Sequence, residues 1–402
     1  MFFAFSFKSS ILLFFFLHGI IFSSLLLIKG FQTNNKSSFW LGFFVLLCSL
    51  YIAPFMFGYA GWYSKESYRN FLFYVPFQQL FLLGPVLYFY FKSLLDKSFR
   101  ITKKDYVHFL PAALYLIYSL AIFLIDTYSG TYYLYADGKD KDFSVWYQVT
   151  GLVSLSYYLF QSLRVYTRYK TLTYNSVSFA ESVMFKWAQR FLVAFLMLIA
   201  IRILFFVVNP EWDQFGKKFW YYVCFSILFY FISISGYTNS ILSITSFADA
   251  QTEEETVVTN FADEAAEIEN NSSLLAEEEP RKTEIEIPEL SIWKEKVEAL
   301  MLQDKMYENP ELVISNLSQR LNTHSKKISQ IINQGFNMNF NDFVNHYRIK
   351  ALIKKIEEGE HTVQTLLGIA FDCGFNSKST FNRAFKRYTT LSPKEYIEKN
   401  TL

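Results

Sequence analysis

Apolar residues fill the first 240 positions of the chain in long runs that short polar stretches separate. Each run is close to the ~20 residues that an α-helix needs to cross a hydrocarbon core. A secretory signal peptide would have only one such run, followed by a cleavage site. The pattern therefore predicts seven membrane-spanning helices, near residues 9–28, 39–58, 70–95, 107–126, 145–165, 187–208 and 219–240.

Two polar side chains inside these runs form a candidate site within the membrane. Arg202 lies in the middle of the sixth run, where an ion is costly unless it faces a partner or water. His18 lies in the first run. Either could line a ligand cavity, but structural pairing is the favoured interpretation for Arg202. An interhelical hydrogen bond explains His18 at least as well.

A sharp change in charge follows the apolar region. Residues 247–290 carry a net charge of −12, whereas residues 1–246 carry +10 and residues 291–402 carry +4. So acidic a segment, with few aromatic residues, cannot bury enough apolar surface to order itself, so we predict a disordered, flexible linker. A second interpretation, ranked lower, is that this segment competes with nucleic acid for a basic face. The predicted domains are thus residues 1–246, 247–290 and 291–402.

Basic residues that flank the apolar runs indicate their orientation. With the N-terminus outside, the cytoplasmic side holds twelve Lys and Arg residues and the outer side holds seven. Seven spans would then place the C-terminal domain in the cytoplasm. We therefore expect a multi-pass protein of the inner (cytoplasmic) membrane, in contact with membrane lipid.

The stretch from Thr362 to Thr389 combines two short helical patterns. Leu366, Ile369 and Ala370 recur at helical spacing, and Gly374 supplies a left-handed turn. The next helix is basic and polar outside, and its inward positions are Phe381, Phe385 and Tyr388. Two helices joined in this way predict a helix-turn-helix whose second helix enters the major groove of DNA.

The same arrangement occurs about fifty residues earlier. Its apolar set is Leu317, Leu321, Ile328, Ile331 and Ile332, with Ser318 at the small position and Asn322 at the left-handed turn. Between the two patterns, a predicted helix of eighteen residues, ~27 Å long, ends at Gly359. That helix can hold two recognition helices near the ~34 Å spacing of successive major grooves. The predicted fold class is all-α, with helix-turn-helix units at about 312–334 and 362–389.

The segments LVISNLSQRL, FVNHYRIKAL and IAFDCGFNSKSTFNRAFKRYTTLSPKEYI resemble the DNA-binding domain of the AraC/XylS family of transcription regulators. The resemblance covers residues 293 to 398 and implies two helix-turn-helix units joined by a long helix. The whole layout resembles membrane-bound regulators of that type with a multi-helix N-terminal region. The resemblance to the DNA-binding domain does not extend to the first 290 residues. It also does not identify the signal to which the protein would respond.

Carried over by position, the resemblance places one set of residues on DNA bases: Lys326, Ser329, Gln330, Ser379, Thr380, Asn382 and Arg383. The chemistry of these side chains agrees with base contacts. Arg and Lys hydrogen-bond well to guanine, Asn and Gln hydrogen-bond well to adenine, and hydroxyl groups can bond to either base. A second set is better placed for phosphates: Lys327, Lys378, Lys386 and Arg387. The alternative is that these side chains only form a solvated helix face. Because two helix-turn-helix patterns occur in tandem, we favour DNA contacts over this alternative. We interpret Arg348 as structural and Cys373 as a small buried hydrophobe.

The sequence offers little for catalysis. It has no nucleotide-binding glycine motif, its three cysteines show no metal-ligand spacing, and His324, His346 and His361 lack catalytic spacing. We therefore expect no enzyme, no metal and no cofactor.

The predicted function is a membrane-anchored, one-component transcription regulator that binds promoter DNA, works with RNA polymerase and responds to a membrane signal. Its ligand or membrane partner stays open, as does a homodimer. The alternative is a membrane receptor or transporter whose tail binds other proteins.

Overall fold

In the computed structural model, the chain is helical through almost all of the residues that the structure describes. These are residues 3–96, 99–130, 140–184, 186–208, 217–250 and 290–400. They form two compact units, one of residues 3–166 and 186–250 and the other of residues 167–184 and 290–400. Residues 251–289, most of the predicted acidic linker, lie outside the described residues.

The first unit consists of long, apolar helices. Among the residues that the structure describes, five stretches are long and apolar enough to cross a membrane: Phe7–Gln32, Lys36–Tyr59, Lys103–Ser129, Lys186–Val208 and Lys218–Asn239. In order along the chain the helices of this unit are α1 (Phe7–Gln32), α2 (Lys36–Tyr59), α3 (Glu66–Tyr74), α4 (Leu80–Leu95), α5 (Leu110–Ser129), α6 (Val145–Ser176), α8 (Lys186–Ile203) and α9 (Lys218–Ala250). The last ten residues of α6 and the short helix α7 (Ala180–Val183) belong to the second unit. Two of the seven predicted spans, near residues 70–95 and 145–165, are not among these five stretches.

The third predicted run is interrupted. Residues 75–79 are not helical and separate α3 from α4, in keeping with Pro76, which disfavours helical backbone at the residue before it. Side chains bind the free backbone groups: Asp142 accepts from the Gln78 N–H at 2.7 Å, and the Tyr147 hydroxyl accepts from the Leu80 N–H at 3.1 Å. A break in a helix among apolar residues persists only where such groups are satisfied.

The second unit begins with the 167–184 segment, which we define as the end of α6, residues 177–179, α7 and Met184. It continues with α10 (Leu290–Leu302), α11 (Ile314–Arg320), α12 (Ser325–Phe336), α13 (Phe340–Glu357), α14 (Leu366–Asp372), α15 (Lys378–Thr389) and α16 (Pro393–Asn400). The helix pairs α11–α12 and α14–α15 lie where the sequence predicts them. The connecting helix α13 has the predicted eighteen residues.

Two apolar clusters form the core of this unit, and α13 contributes to both. Phe343, Val344 and Tyr347 pack with the first cluster, around Leu317, Ile328, Ile331 and Ile332. One turn further along, Ile349, Leu352 and Ile356 pack with the second cluster, around Ile369, Phe375, Phe381 and Phe385. Because each helix pair packs on its own half of α13, this helix fixes the distance between the pairs.

Candidate nucleic-acid interface

The turn between α11 and α12 has the predicted left-handed residue. Asn322 has a φ of 49°, and asparagine tolerates this conformation because its short side chain bonds locally. The Leu321 N–H donates to the Leu317 carbonyl at 3.0 Å, and the Thr323 N–H donates to the Ser318 carbonyl at 2.9 Å. These bonds close the end of α11 and turn the chain sharply into α12.

The turn between α14 and α15 repeats this pattern. Gly374 has a φ of +92°, and the Phe375 N–H donates to the Ala370 carbonyl at 3.0 Å. A Cβ atom on Gly374 would lie only 2.2 Å from the Tyr307 carbonyl oxygen. Ser377 caps α15 by accepting from the Thr380 N–H. Glycine is thus required here by both conformation and space.

Helix α12 presents the predicted polar residues opposite its apolar side. Lys326 is exposed, and Ser329, Gln330 and Lys327 are half-buried. The Lys327 ammonium lies 4.0 Å from the centroid of the Trp293 ring. The attraction between a cation and an aromatic face favours this orientation of the Lys327 side chain.

Helix α15 presents most of its predicted set to solvent. Ser379, Asn382 and Arg383 are exposed, as are the three predicted phosphate ligands of this helix, Lys378, Lys386 and Arg387. Arg387 donates from Nη1 to Asp342 Oδ1 at 2.6 Å. Arg387 is exposed at one end of this ion pair, whereas the Asp342 carboxylate is mostly covered.

The structure departs from the prediction at Thr380 and Tyr388. Thr380 is only 2% exposed, and its hydroxyl is hydrogen-bonded to the Ser377 hydroxyl at 2.8 Å. This side chain therefore belongs to the helix cap and does not reach a base in this structure. Tyr388, which the sequence assigns to the interior, is 42% exposed and packs against the His346 ring.

Arg348 has the structural role that the sequence suggests. It is buried, and it donates to the carbonyls of Tyr307 and Asn309 at 2.8 and 2.6 Å and to Asn345 Oδ1 at 3.2 Å. The two carbonyls belong to the stretch that lies against Gly374. Arg348 therefore holds in place the chain on which the second turn rests. Cys373 is likewise buried, and burial raises the pKa of its thiol to about 11.

Three residues near α15 were not foreseen as part of the site. Glu181 forms an ion pair with Arg383, and the Tyr174 hydroxyl accepts from Arg383 Nη2 at 3.0 Å. The Ser182 hydroxyl accepts from Asn376 Nδ2 at 3.2 Å. All three lie in the 167–184 segment, which the sequence analysis assigned to the membrane domain. Only the charge of Glu181 could have drawn attention to them.

The two polar candidates in the first unit bind neighbouring helices. His18 Nε2 is hydrogen-bonded to the Ser233 hydroxyl at 2.7 Å. Arg202 donates from Nη2 to Gln148 Oε1 at 2.8 Å, and its guanidinium lies over the Tyr51 ring. These contacts match the structural alternative for both residues. Among the described residues, no three His, Cys, Asp or Glu side chains are grouped to hold a metal ion.

A family model described as a helix-turn-helix domain matches residues 317–399, from within α11 to within α16. This match supports an AraC-type, DNA-binding helix-turn-helix region in the C-terminal part of the chain. The match includes both helix pairs and the helix α13 between them. Neither a curated protein nor a solved structure gave a significant match to the chain. The domain supports sequence-specific DNA binding and regulation of transcription by the C-terminal part of the chain.

Proposed function

We propose that this protein is a membrane-anchored, one-component transcription regulator that binds promoter DNA through α12 and α15. One observation carries the proposal: the chain has a match to a helix-turn-helix domain and, within its described residues, five helical stretches long and apolar enough to cross a membrane. A regulator of this kind needs no separate membrane receptor, because anchor and DNA-binding domain are covalently joined.

Each recognition helix would supply both base and phosphate contacts. Lys326, Ser329 and Gln330 of α12 would face one major groove, and Ser379, Asn382 and Arg383 of α15 the next. Lys327, Lys378, Lys386 and Arg387 would contact phosphates, which give affinity without sequence information. The eighteen residues of α13, ~27 Å in length, would hold the two helices on one face of the duplex.

The membrane-related parts of the proposal rest on the apolar helices and the flanking charges. We place the protein in the inner membrane with its N-terminus outside and its DNA-binding domain in the cytoplasm, where it would meet RNA polymerase. The apolar surfaces of the five candidate spans would contact lipid. The first unit would anchor the protein and sense a signal, and we assign no catalytic activity to either unit.

Mapping DNA occupancy of the full-length protein across the genome of its source organism tests this function. We expect a small set of discrete sites that share a sequence motif, with two blocks of bases about one helical turn apart. Transcription of the adjacent genes should change when the protein is deleted. Absence of discrete sites, in cells that contain the intact protein in the membrane, would favour the interpretation of the C-terminal domain as a protein-binding module.

A further inference from the structure

Ser178, in the middle of the 167–184 segment, makes three hydrogen bonds to the C-terminal part of the second unit, residues 290–400. Its N–H donates to the Leu312 carbonyl at 3.0 Å, its carbonyl accepts from Asn341 Nδ2 at 2.7 Å, and its hydroxyl accepts from Arg348 Nη2 at 3.1 Å. The residue is 0% exposed. Buried backbone groups need such partners, so these three bonds make this a specific docking point.

The surface that receives Ser178 is a polar stripe on α13. Asn341, Asn345 and Arg348 lie at positions i, i+4 and i+7, on one face of the helix, and all three are buried. They are linked in a row: Asn345 Nδ2 donates to Asn341 Oδ1 at 3.1 Å, and Arg348 Nη1 donates to Asn345 Oδ1 at 3.2 Å. Both ends of the row donate to Ser178, Asn341 to its carbonyl and Arg348 to its hydroxyl. Together with the bonds from Arg348 to the Tyr307 and Asn309 carbonyls, these contacts satisfy the polar face that α13 buries.

The residue before Ser178 adds an apolar contact to the docking point. Val177 forms a single antiparallel bridge with Val313, at the start of α11, and both side chains are buried. Ala180, two residues after Ser178, is also buried. The segment is therefore held by backbone pairing and by side-chain packing.

Docking at Ser178 brings the segment onto the DNA-reading residues of α15. Glu181 is paired with Arg383, and the Nη2 atom of Arg383 that contacts Glu181 also donates to the Tyr174 hydroxyl. A guanidinium reads guanine by directing two N–H groups at O6 and N7. The N–H groups that Arg383 commits to a carboxylate and a hydroxyl are not free for guanine.

We propose that the 167–184 segment is an intramolecular competitor of DNA. While Ser178 is docked on α13, Glu181 holds Arg383 and Ser182 holds Asn376, at the entrance to the same helix. Release of the segment frees Arg383 for DNA and clears the start of α15. This inference rests on the proposed DNA-binding function and adds its regulation: an inhibited state in which a carboxylate takes the place of the nucleic acid.

The competition has a quantitative consequence for affinity. When only a fraction of a protein is in its binding-competent state, its apparent Kd is the intrinsic Kd divided by that fraction. Substitutions that undock the segment should therefore tighten DNA binding although they lie outside the helix-turn-helix domain. Loss of a DNA contact would have the opposite effect.

The test measures DNA binding by the full-length protein in lipid nanodiscs. The probe is a duplex with a random central sequence, enriched by selection on the same wild-type protein. Glu181→Gln keeps the size of the side chain and removes its charge, and Ser178→Tyr places a large side chain where there is no room. We expect Glu181→Gln to bind about fivefold more tightly, as loss of ~1 kcal/mol from a partly exposed ion pair implies. Ser178→Tyr should bind at least as tightly as Glu181→Gln.

Glu357→Gln is the matched control. Glu357 is exposed at the end of α13, so its neutralisation measures the general gain in DNA attraction from removing one negative charge. If Glu181→Gln and Ser178→Tyr bind no more tightly than Glu357→Gln, the segment is not a competitor, although the protein still binds DNA. If the wild type and all three variants select no duplex, the proposed function itself fails.

A second measurement tests the docking itself. Ser182→Cys and Asn376→Cys, combined in one chain, place two thiols at positions whose side chains are in contact. A short bifunctional thiol reagent should join them rapidly without DNA and slowly with an excess of the selected duplex. A rate that the duplex does not change would contradict competition. Adding Ser178→Tyr to the pair should slow the reaction even without DNA, and a rapid reaction there would contradict docking through Ser178.

Discussion

Asn322 and Gly374 hold the left-handed backbone conformation at the same place in two helix pairs, each the second residue after the end of the first helix. Four residues before each lies the small residue whose carbonyl closes the turn, Ser318 in one pair and Ala370 in the other. The two turns differ in the space around them. A Cβ atom on Gly374 would collide with the chain at Tyr307 and Glu308.

Gly374→Ala should therefore destabilise the second helix pair. Left-handed backbone costs a non-glycine residue ~1–3 kcal/mol, and the collision with the Tyr307 carbonyl adds to that cost. Amide hydrogen exchange of the full-length protein measures this locally. Exchange in α14 and α15 should become faster, whereas exchange in α11 and α12 should change less.

Gly335→Ala is a control with the same chemical change. Gly335 lies inside α12, and the nearest heavy atom to its Cβ would be 3.7 Å away. Alanine is the better helix former, so this substitution should stabilise α12 by ~0.5–1 kcal/mol. Equal acceleration of exchange by both substitutions would contradict the role assigned to the Gly374 turn.

Arg383 and Lys386 should contribute differently to DNA binding. Arg383→Ala should cost ~1–3 kcal/mol on the best site and relax the preference at one base position, because a bidentate contact to guanine is lost. Lys386→Ala should weaken binding to all sequences alike and lower the salt slope by about one ion. Both variants need to be measured on the best site and on its single-base variants over a range of salt concentrations.

The Arg383→Ala substitution removes the ion pair with Glu181 as well as any DNA contact. The two substitutions should therefore also be compared in a protein that carries Glu181→Gln. In the Glu181→Gln background this ion pair is already absent, so its loss does not affect the comparison of the two substitutions. Preserved base preference in Arg383→Ala, together with altered preference in Lys386→Ala, would show that α15 enters the groove in a different orientation.

The proposed orientation predicts the results of reporter fusions. A reporter that is active only in the periplasm should be inactive when it is joined after residue 246, and a cytoplasmic reporter should be active there. The physical reason is the excess of Lys and Arg on the loops assigned to the cytoplasm. Strong periplasmic activity after residue 246 would mean an even number of spans or the opposite orientation.

His346 should make the second unit less stable in mild acid. Burial, and secondarily Lys350, lowers the pKa of His346 from its ordinary value of 6.5. As the pH falls below 6.5, the unfolded chain binds a proton before the folded one does, so stability decreases and then levels off below the folded pKa. Amide exchange in α13 should accelerate on acidification, and His346→Gln should reduce this acceleration. An unchanged pH dependence in His346→Gln would assign the effect to other groups.

Local rules made both turns of the helix-turn-helix domain predictable. Asn322 and Gly374 tolerate left-handed backbone, and the apolar residues around them recur at helical spacing, so the sequence itself carries the information. Thr380 was wrongly placed because the competing interaction is equally local: the Ser377 hydroxyl draws it into the helix cap. Sequence position alone does not decide which of two hydrogen bonds a hydroxyl makes.

The features that escaped prediction depend on residues far apart in the chain. Hydropathy could not locate the break between α3 and α4, because the groups that stabilise it, Asp142 and Tyr147, lie more than sixty positions away. The docking of Ser178 on Asn341 and Arg348 likewise joins residues separated by at least 163 positions. Ser178 is flanked by Val177 and Phe179, and nothing in this pattern marks a binding segment.

Glu181 and Arg383 belong to one polypeptide, so the strength of their contact does not depend on how much of the protein a cell makes. An inhibitor on a separate chain is outnumbered when its target is overproduced, but a tethered one always matches its target one to one and acts at a fixed effective concentration. A higher expression level would increase the number of DNA-binding domains with a docked segment and the number with a released segment by the same factor. Promoter output would then report the state of the segment at any given copy number, and the basal activity would rise only in proportion to the amount of protein.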